Sequence, residues 1–278
     1  MMKAGVMGWP VAHSLSPALH GYWLKQHGID GDYVKFAVPP EKLPEALKTL
    51  AAEDWRGCNL TIPHKEAAVQ LMDRLDDTAR RVGAVNTVVV EAGGTLAGSN
   101  TDGFGFLENL RAGVPGFDAA AGPAVVLGAG GAARAIVDAL AQAGAPEIRI
   151  VNRSPARAQW LGEALAPRQA RIRPWDERAA ALAGAALLVN ATSLGMTGNP
   201  PLELDLARLP KAAVVNDIVY APLETPLLKA ARARDNRVVD GLGMLLHQGR
   251  PGFKLWFGVM PEVTPALREA VLAAMESS

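Results

Sequence analysis

The chain has 278 residues, 49% of them apolar and 20% charged, and its 28 basic side chains balance 28 acidic ones. That composition excludes a disordered chain, and 28 Gly with 20 Pro spread without a period exclude a collagen-like or low-complexity one. Zero formal net charge argues against a nucleic-acid binder, and the length fits roughly two domains at about 150 residues each.

In chain order, residues 3–8 read as a strand. A helix follows over 17–26, with Ser16 as its cap and Pro17 at its first position. Tyr33 to Val38 alternates as a strand does, and 40–52 is helical, with Leu43, Leu47 and Leu50 on one face. Residues 59–62 form a short strand before a helix opened by Pro63, and 86–90 form a β-branched strand. Strands separated by helices predict a mainly parallel sheet. The turn-rich stretch 115–123 is followed by strand 124–128, helix 131–143, strand 147–151, helix 155–165, strands 186–190 and 213–217, helix 224–234 and strand 237–239. The chain closes with helices over 242–257 and 265–275.

The fold class is therefore α/β with two domains. An α/β substrate domain over 1–101 plus 241–278 carries an inserted Rossmann domain over 102–240, and the C-terminal helices return to the first domain. Cys58 is the single cysteine, so an intrachain disulfide and a cysteine-based zinc cluster are excluded, and a small buried side chain in a reducing compartment fits. No metal site is expected. Residues 1–9 lack a signal-peptide pattern, and the longest apolar run, near 179–189 and broken by Gly184, falls well short of the roughly 20 residues of a membrane span. A cytoplasmic chain is expected, a monomer or a homodimer, with a small-molecule substrate and neither nucleic acid nor membrane as partner.

Gly128-Ala129-Gly130-Gly131-Ala132-Ala133 directly follows an apolar strand and opens a helix, the Gly-x-Gly-x-x-Ala form of the dinucleotide fingerprint. Gly128 permits the tight turn, Gly130 lets backbone approach a pyrophosphate, and Ala133 permits close helix packing beside the free N–H groups of the helix start. The next strand ends Asn152-Arg153-Ser154, where an NAD site would place an acid on the ribose hydroxyl. Arg153 and, one turn later, Arg157 stand there instead, and two guanidiniums suit a 2′-phosphate, so the cofactor reads as NADP. Asn190-Ala191-Thr192 and Ser193 end a later strand and are expected to line the cofactor site or to serve as turn polarity.

The first domain has its own polar strand ends. Ser14 and Ser16 beside a helix start could cradle a carboxylate, or Ser16 could simply cap the helix. Thr61 and Lys65 lie in Asn59-Leu60-Thr61-Ile62-Pro63-His64-Lys65, and Asn86-Thr87 and Ser99-Asn100-Thr101-Asp102-Gly103 follow apolar runs. Asp240 to Gln248 carries an amide into an apolar helix.

Together, His13 to Pro17, Asn59 to Lys65, Gly83 to Thr87, Asn100 to Gly103, Gly128 to Ala133, Asn190 to Met196 and Asp240 to Gln248 resemble the shikimate dehydrogenase family, over essentially the whole chain. The resemblance implies reduction of 3-dehydroshikimate to shikimate with NADPH, on the path to chorismate and the aromatic amino acids. It implies that Ser14 and Ser16, helped by Tyr220, hold the substrate carboxylate, that Thr61, Lys65, Asn86, Asp102 and Gln248 contact its hydroxyls and carbonyl, and that Lys65 and Asp102 form the catalytic pair. On the cofactor side it implies Gly128, Ala129, Gly130, Gly131, Ala132, Asn152, Arg153, Ser154, Arg157, Thr192, Ile218 and Gly241, with Asp77 a further contact. Departures are Ser154, where the family often has Thr, Ile218, where it often has Met, and Trp9, where smaller residues are common.

These residue types suit the chemistry. Ketone reduction needs a hydride and a proton for the developing alkoxide; a lysine can stabilise the oxyanion and deliver the proton, with an aspartate orienting it. His13 and His64 adjoin the site and are expected to serve as structural hydrogen-bonding groups. Two other readings stay open: a paralogue acting on quinate or an aminated shikimate, and a non-catalytic sensor of a shikimate-like ligand.

Overall fold

The computed structural model describes residues 1–277, which form two compact units, Met1–Thr101 together with the chain from Leu245 onward, and Asp102–Met244. The first unit runs β1 (Met2–Gly8), α1 (Ser16–Gln26), β2 (Gly31–Ala37), α2 (Leu43–Ala52), β3 (Gly57–Leu60), α3 (His64–Ala67), β4 (Arg74–Leu75), α4 (Asp77–Val82), β5 (Thr87–Val90) and β6 (Leu96–Ser99). Its sheet has the order β2-β1-β3-β5-β6-β4. β1 is parallel to β2 and β3, with Met7 opposite Phe36 and Leu60. β5 is antiparallel to both neighbours, pairing Thr87 with Asn59 of β3 and with Ser99 of β6, while β4 is parallel to β6. The sheet is thus mixed, with β5 the reversed strand.

β4 and β6 were not among the expected strands. β6 depends on a reversal at Gly93 and Gly94, both at positive φ, and its Gly98 packs so closely that a Cβ would stand 2.7 Å from Met72 Cγ. Two glycines bracketing one leucine give no apolar alternation to read. α1 also starts differently from expectation. Ser16 is its first helical residue, Leu15 holds the cap position without a capping side chain, and Ser14 Oγ accepts from the Ser16 N–H at 3.3 Å. Leu43, Leu47 and Leu50 of α2 are buried against Met7, Cys58, Leu60, Val85 and Val88 as their spacing requires. Burial pushes the Cys58 thiol up.

This topology gathers the carboxyl ends of β1, β2, β3 and β6 and the start of β5 at one end of the sheet. The loops at that end carry the segments around Ser14, Thr61, Asn86 and Asn100.

The second unit runs α5 (Asp102–Gly113), β7 (Ala124–Leu127), α6 (Gly131–Gln142), β8 (Ile148–Asn152), α7 (Pro155–Leu165), β9 (Ala170–Pro174), β10 (Leu187–Asn190), β11 (Val214–Asp217), α8 (Pro226–Arg232) and β12 (Arg237–Val239). The sheet is wholly parallel, in the order β12-β11-β10-β7-β8-β9. That is the doubly wound order, reversing between β7 and β10, where such sheets bind ligands beyond the strand ends. β7, β10 and β11 are buried throughout, alternate residues feeding two cores: Val126, Leu187 and Val189 on one face, Val125, Leu127, Leu188 and Val215 on the other. β9 was unforeseen, because an edge strand with exposed Arg171 and Arg173 buries too little to leave a pattern.

α9 (Leu242–Phe257) runs through Pro251, and α10 (Pro265–Glu276) is capped by Thr264, whose hydroxyl oxygen accepts from the Leu267 N–H. Within the first unit, Trp256 Nε1 donates to Val88 O at 3.0 Å and Trp23 Nε1 to Glu262 O at 3.0 Å. Among the described residues no helix is long and apolar enough to cross a membrane, and no group of His, Cys, Asp and Glu could hold a metal.

Candidate active site

The first unit holds most of the expected substrate residues at one sheet end. Ser14 and Ser16 leave β1, Thr61 and Lys65 leave β3, Asn86 precedes β5, and Thr101 follows β6. Thr61 is fixed through its N–H, which bonds Met7 O at 3.0 Å, and Lys65 through its carbonyl, which accepts from the Val85 N–H at 2.8 Å. Lys65 is half-buried in α3. Beside it His64 is buried with Nε2 2.8 Å from Val38 O, and burial lowers its pKa. That contact is the structural role expected of it; His13 is exposed.

Asn86 sits at the centre. Its Oδ1 accepts from the Thr101 N–H and the Thr87 hydroxyl, each at 2.9 Å, and its Nδ2 donates to Thr101 Oγ1 at 3.0 Å and Gln248 Oε1 at 3.3 Å. Thr101 Oγ1 donates to Gln248 O at 2.8 Å, so α9 is tied to the β6 end. Asn86, Thr87, Asn100 and Thr101 are all buried, which makes each of these hydrogen bonds expensive to break. Thr101 has no expected role of its own, and its one signal in the sequence is a threonine just past an apolar run. Asp102 follows directly, buried, as the first residue of α5.

Asp77 lies in the first unit, exposed at the start of α4 and paired with Arg80 at 2.8 Å. The capping role there belongs to Asp76, which accepts from the Ala79 N–H at 2.6 Å.

The second unit brings the other expected cofactor residues to the carboxyl ends of its strands. Gly128 turns at φ +109, and a Cβ there would stand 2.9 Å from Ala191 O, so glycine also admits the end of β10. At Gly130 and Gly131, by contrast, a Cβ would meet no atom within 4 Å. The start of the twelve-residue helix α6 therefore faces open space, while Ala133 is fully buried beneath it. Asn152 Nδ2 donates to Ser154 O at 2.9 Å, shaping the turn into α7. Arg153 and Arg157 are exposed, and among the described residues neither makes an ion pair or hydrogen bond. No acid stands between Asn152 and Ser154.

The ends of β10 and β11 are locked by a group the sequence reading passed over. Asp217 is fully buried and accepts from Thr225 Oγ1 at 2.7 Å, Asn190 Nδ2 at 3.0 Å and the Val219 N–H at 3.0 Å. Burial raises its pKa against those three hydrogen bonds. Asn190 Oδ1 accepts from Thr192 Oγ1 at 2.7 Å, and the Asn190 carbonyl accepts from the Ile218 N–H at 3.1 Å. One carboxylate thus sets Thr192, Ile218 and the turn to Tyr220, whose pKa burial also raises. Gly241 packs against Ile218 so tightly that a Cβ would overlap the Ile218 carbonyl.

Three family models match the chain: the shikimate dehydrogenase substrate binding domain over residues 6–88, shikimate / quinate 5-dehydrogenase over 116–197, and the shikimate 5′-dehydrogenase C-terminal domain over 241–272. The NADP(+) shikimate dehydrogenase of Rhodospirillum rubrum is 61% identical over 272 residues, covering 97% of this chain and 96% of that one. The shikimate 5-dehydrogenase of Thermus thermophilus, solved with NADP(H) and shikimate, is 42% identical with a TM-score of 0.87, over 99% of this chain and 100% of that one. The quinate dehydrogenase of Corynebacterium glutamicum, solved with NAD, is 31% identical with a TM-score of 0.91, over 98% and 99%.

Proposed function

The chain belongs to the shikimate dehydrogenase family, and on that premise we propose that it catalyses the reversible NADPH-dependent reduction of 3-dehydroshikimate to shikimate, in the cytoplasm, on the path to chorismate and the aromatic amino acids. The observation that carries the reading is that the segments carrying Ser14 and Ser16, Thr61 and Lys65, Asn86, and Thr101 all meet one end of the first unit's sheet, with Asp102 next in the chain after Thr101. A small polyhydroxylated acid needs just such a mixed set of donors and acceptors.

Ser14 and Ser16 hold the substrate carboxylate, and Tyr220 is the further carboxylate contact that the family resemblance implies. Because Ser14 Oγ already accepts from the Ser16 N–H, its own proton is left to donate to an anion. Thr61, Asn86 and Gln248 hold the hydroxyls. Lys65 delivers the proton to the alkoxide as it forms, and in the reverse direction takes it from the alcohol. Asp102 is the second member of the catalytic pair that the family resemblance implies.

When bound, NADPH supplies the hydride to the carbonyl carbon. The open N-terminus of α6 at Gly130 and Gly131 suits its pyrophosphate, and Arg153 with Arg157 suits its 2′-phosphate. Thr192, Ile218 and Gly241 hold the nicotinamide half. The residues at the end of β8 carry the choice of cofactor, because the fold alone matches an NAD-bound quinate dehydrogenase at a TM-score of 0.91, no worse than the 0.87 of the NADP(H)-bound enzyme.

The test is turnover of shikimate and of quinate, each with NADP and with NAD. Shikimate with NADP should exceed shikimate with NAD in kcat/KM by about two orders of magnitude, the worth of two charge-assisted contacts, and should exceed both quinate pairs. Equal use of quinate or NAD would move the chain to the quinate-type reading, and no turnover at all to that of a sensor.

A further inference from the structure

The Asn86 amide is held by groups that have no freedom in their hydrogen-bonding role. The Thr101 N–H can only donate, and it meets Asn86 Oδ1 at 2.9 Å. The Asn86 carbonyl can only accept, and Asn59 Nδ2 donates to it at 3.0 Å. Asn59 Oδ1 then accepts from the Tyr33 hydroxyl at 2.6 Å. Burial pushes the Tyr33 phenol well above its ordinary range, so that hydroxyl keeps its proton. These fixed roles leave the Thr87 hydroxyl one consistent orientation, accepting from Asn59 Nδ2 at 3.2 Å and donating to Asn86 Oδ1 at 2.9 Å. Thr87 is 0% exposed and cannot touch a substrate.

Building on the reading of Asn86 as a substrate contact, we propose that Thr87 is a positioning residue: with Asn59 and Tyr33 behind it, its hydroxyl locks the Asn86 amide so that Nδ2, and not Oδ1, is turned toward Gln248 and the substrate. Every donor in the relay points the same way, from Tyr33 to Asn59 to Thr87 to Asn86 to Gln248. Reversing any amide in it would set donor against donor at a backbone N–H or acceptor against acceptor at a backbone carbonyl.

Two substitutions separate this role from mere packing. Thr87→Val keeps the shape and removes the hydroxyl, while Thr87→Ser keeps the hydroxyl. Thr87→Val should raise the KM for shikimate roughly tenfold, the size of one lost hydrogen bond, and leave the KM for NADP unchanged; Thr87→Ser should stay within about twofold of wild type. Exchange of the Asn86 side-chain NH2 with solvent, followed by NMR, should accelerate in Thr87→Val and not in Thr87→Ser. The NMR readout needs no turnover, so a wild-type chain inactive on shikimate would refute the enzymatic reading while the relay is still judged. Unchanged shikimate KM and amide exchange in Thr87→Val would overturn the relay. So would equal losses in Thr87→Ser, or a KM for NADP rising in step. Should Thr87→Val not fold, Tyr33→Phe keeps the ring stacked on His20 and removes the first donor, together with that hydroxyl's hydrogen bond to Ser16. It should accelerate Asn86 NH2 exchange in the same sense by about two- to fivefold, and unaltered exchange there overturns the proposal.

Discussion

His20 gives the fold a pH dependence whose size can be worked out. The imidazole is fully buried in α1, stacked on Tyr33 with ring centroids 4.0 Å apart and planes 6° apart, and ringed by Trp23, Phe253 and Trp256. Burial lowers its pKa from 6.5 to about 3, and the Asn59 side chain beside the ring offsets only part of that. The folded state therefore refuses a proton that the unfolded chain takes up below pH 6.5. Stability is complete above that value and is lost as pH falls, at about 1.4 kcal/mol per unit, until pH 3. At pH 5 the loss from this one group is about 2 kcal/mol, a large share of the usual 5–15 kcal/mol. Urea unfolding of wild type and of His20→Phe at pH 7.5, 6 and 5 isolates the contribution of His20. Phenylalanine keeps the stack without titrating, and the carboxylates, including the raised Asp76 and Asp217, contribute alike to both. Wild type should lose about 2 kcal/mol more than His20→Phe between pH 7.5 and 5; parallel losses would refute the reasoning.

Three further outcomes are expected. Lys65→Ala should lower kcat by ~10²–10⁴-fold with a far smaller change in KM, as loss of a general acid does; steady-state kinetics at saturating NADP checks this. Arg153→Ala should raise the KM for NADP roughly tenfold and leave that for NAD unchanged, the modest size reflecting an exposed, screened guanidinium. Repeating both titrations in 0.5 M salt should shrink the difference. Gly241→Ala should lower the melting temperature and weaken NADP binding together, because its Cβ displaces the Ile218 carbonyl; calorimetry and a cofactor fluorescence titration read the two effects.

The second unit was legible in the sequence because its binding device is made of backbone. A strand of four buried apolar residues, a turn that only glycine can make and a helix with an open start leave marks at fixed spacing, as Ala124 to Ala133 does. The absence of an acid after Val151 is equally local. β9 escaped because its arginines face water at a sheet edge. In the first unit the helix over 43–52 was plain from three leucines on one face. β6 was not, since glycine supplies its close packing and leaves no hydrophobic signal. Ser16 misled for a related reason: a serine before Pro17 suits a cap, yet the hydroxyl that accepts a helical N–H is that of Ser14.

Beyond the serine cradle and the polar strand ends, the substrate side could be approached only through the resemblance, because its geometry depends on which strands become neighbours. Asn59 and Thr87 are 28 residues apart and meet only because β5 runs antiparallel to β3; Thr101 and Gln248 are 147 apart. No periodicity encodes that reversal. Different positions consequently answer to different kinds of substitution. At Gly128 or Gly241 the damage comes from volume, since the backbone has no room for a methyl group. At Thr87 or Asn59 an isosteric change suffices, because what is lost is the direction of a proton along a buried chain of amides and hydroxyls. Sequence reading finds the first kind, where a residue type is forced by its own φ and spacing. The second kind emerges only when every donor and acceptor in the cluster is assigned together.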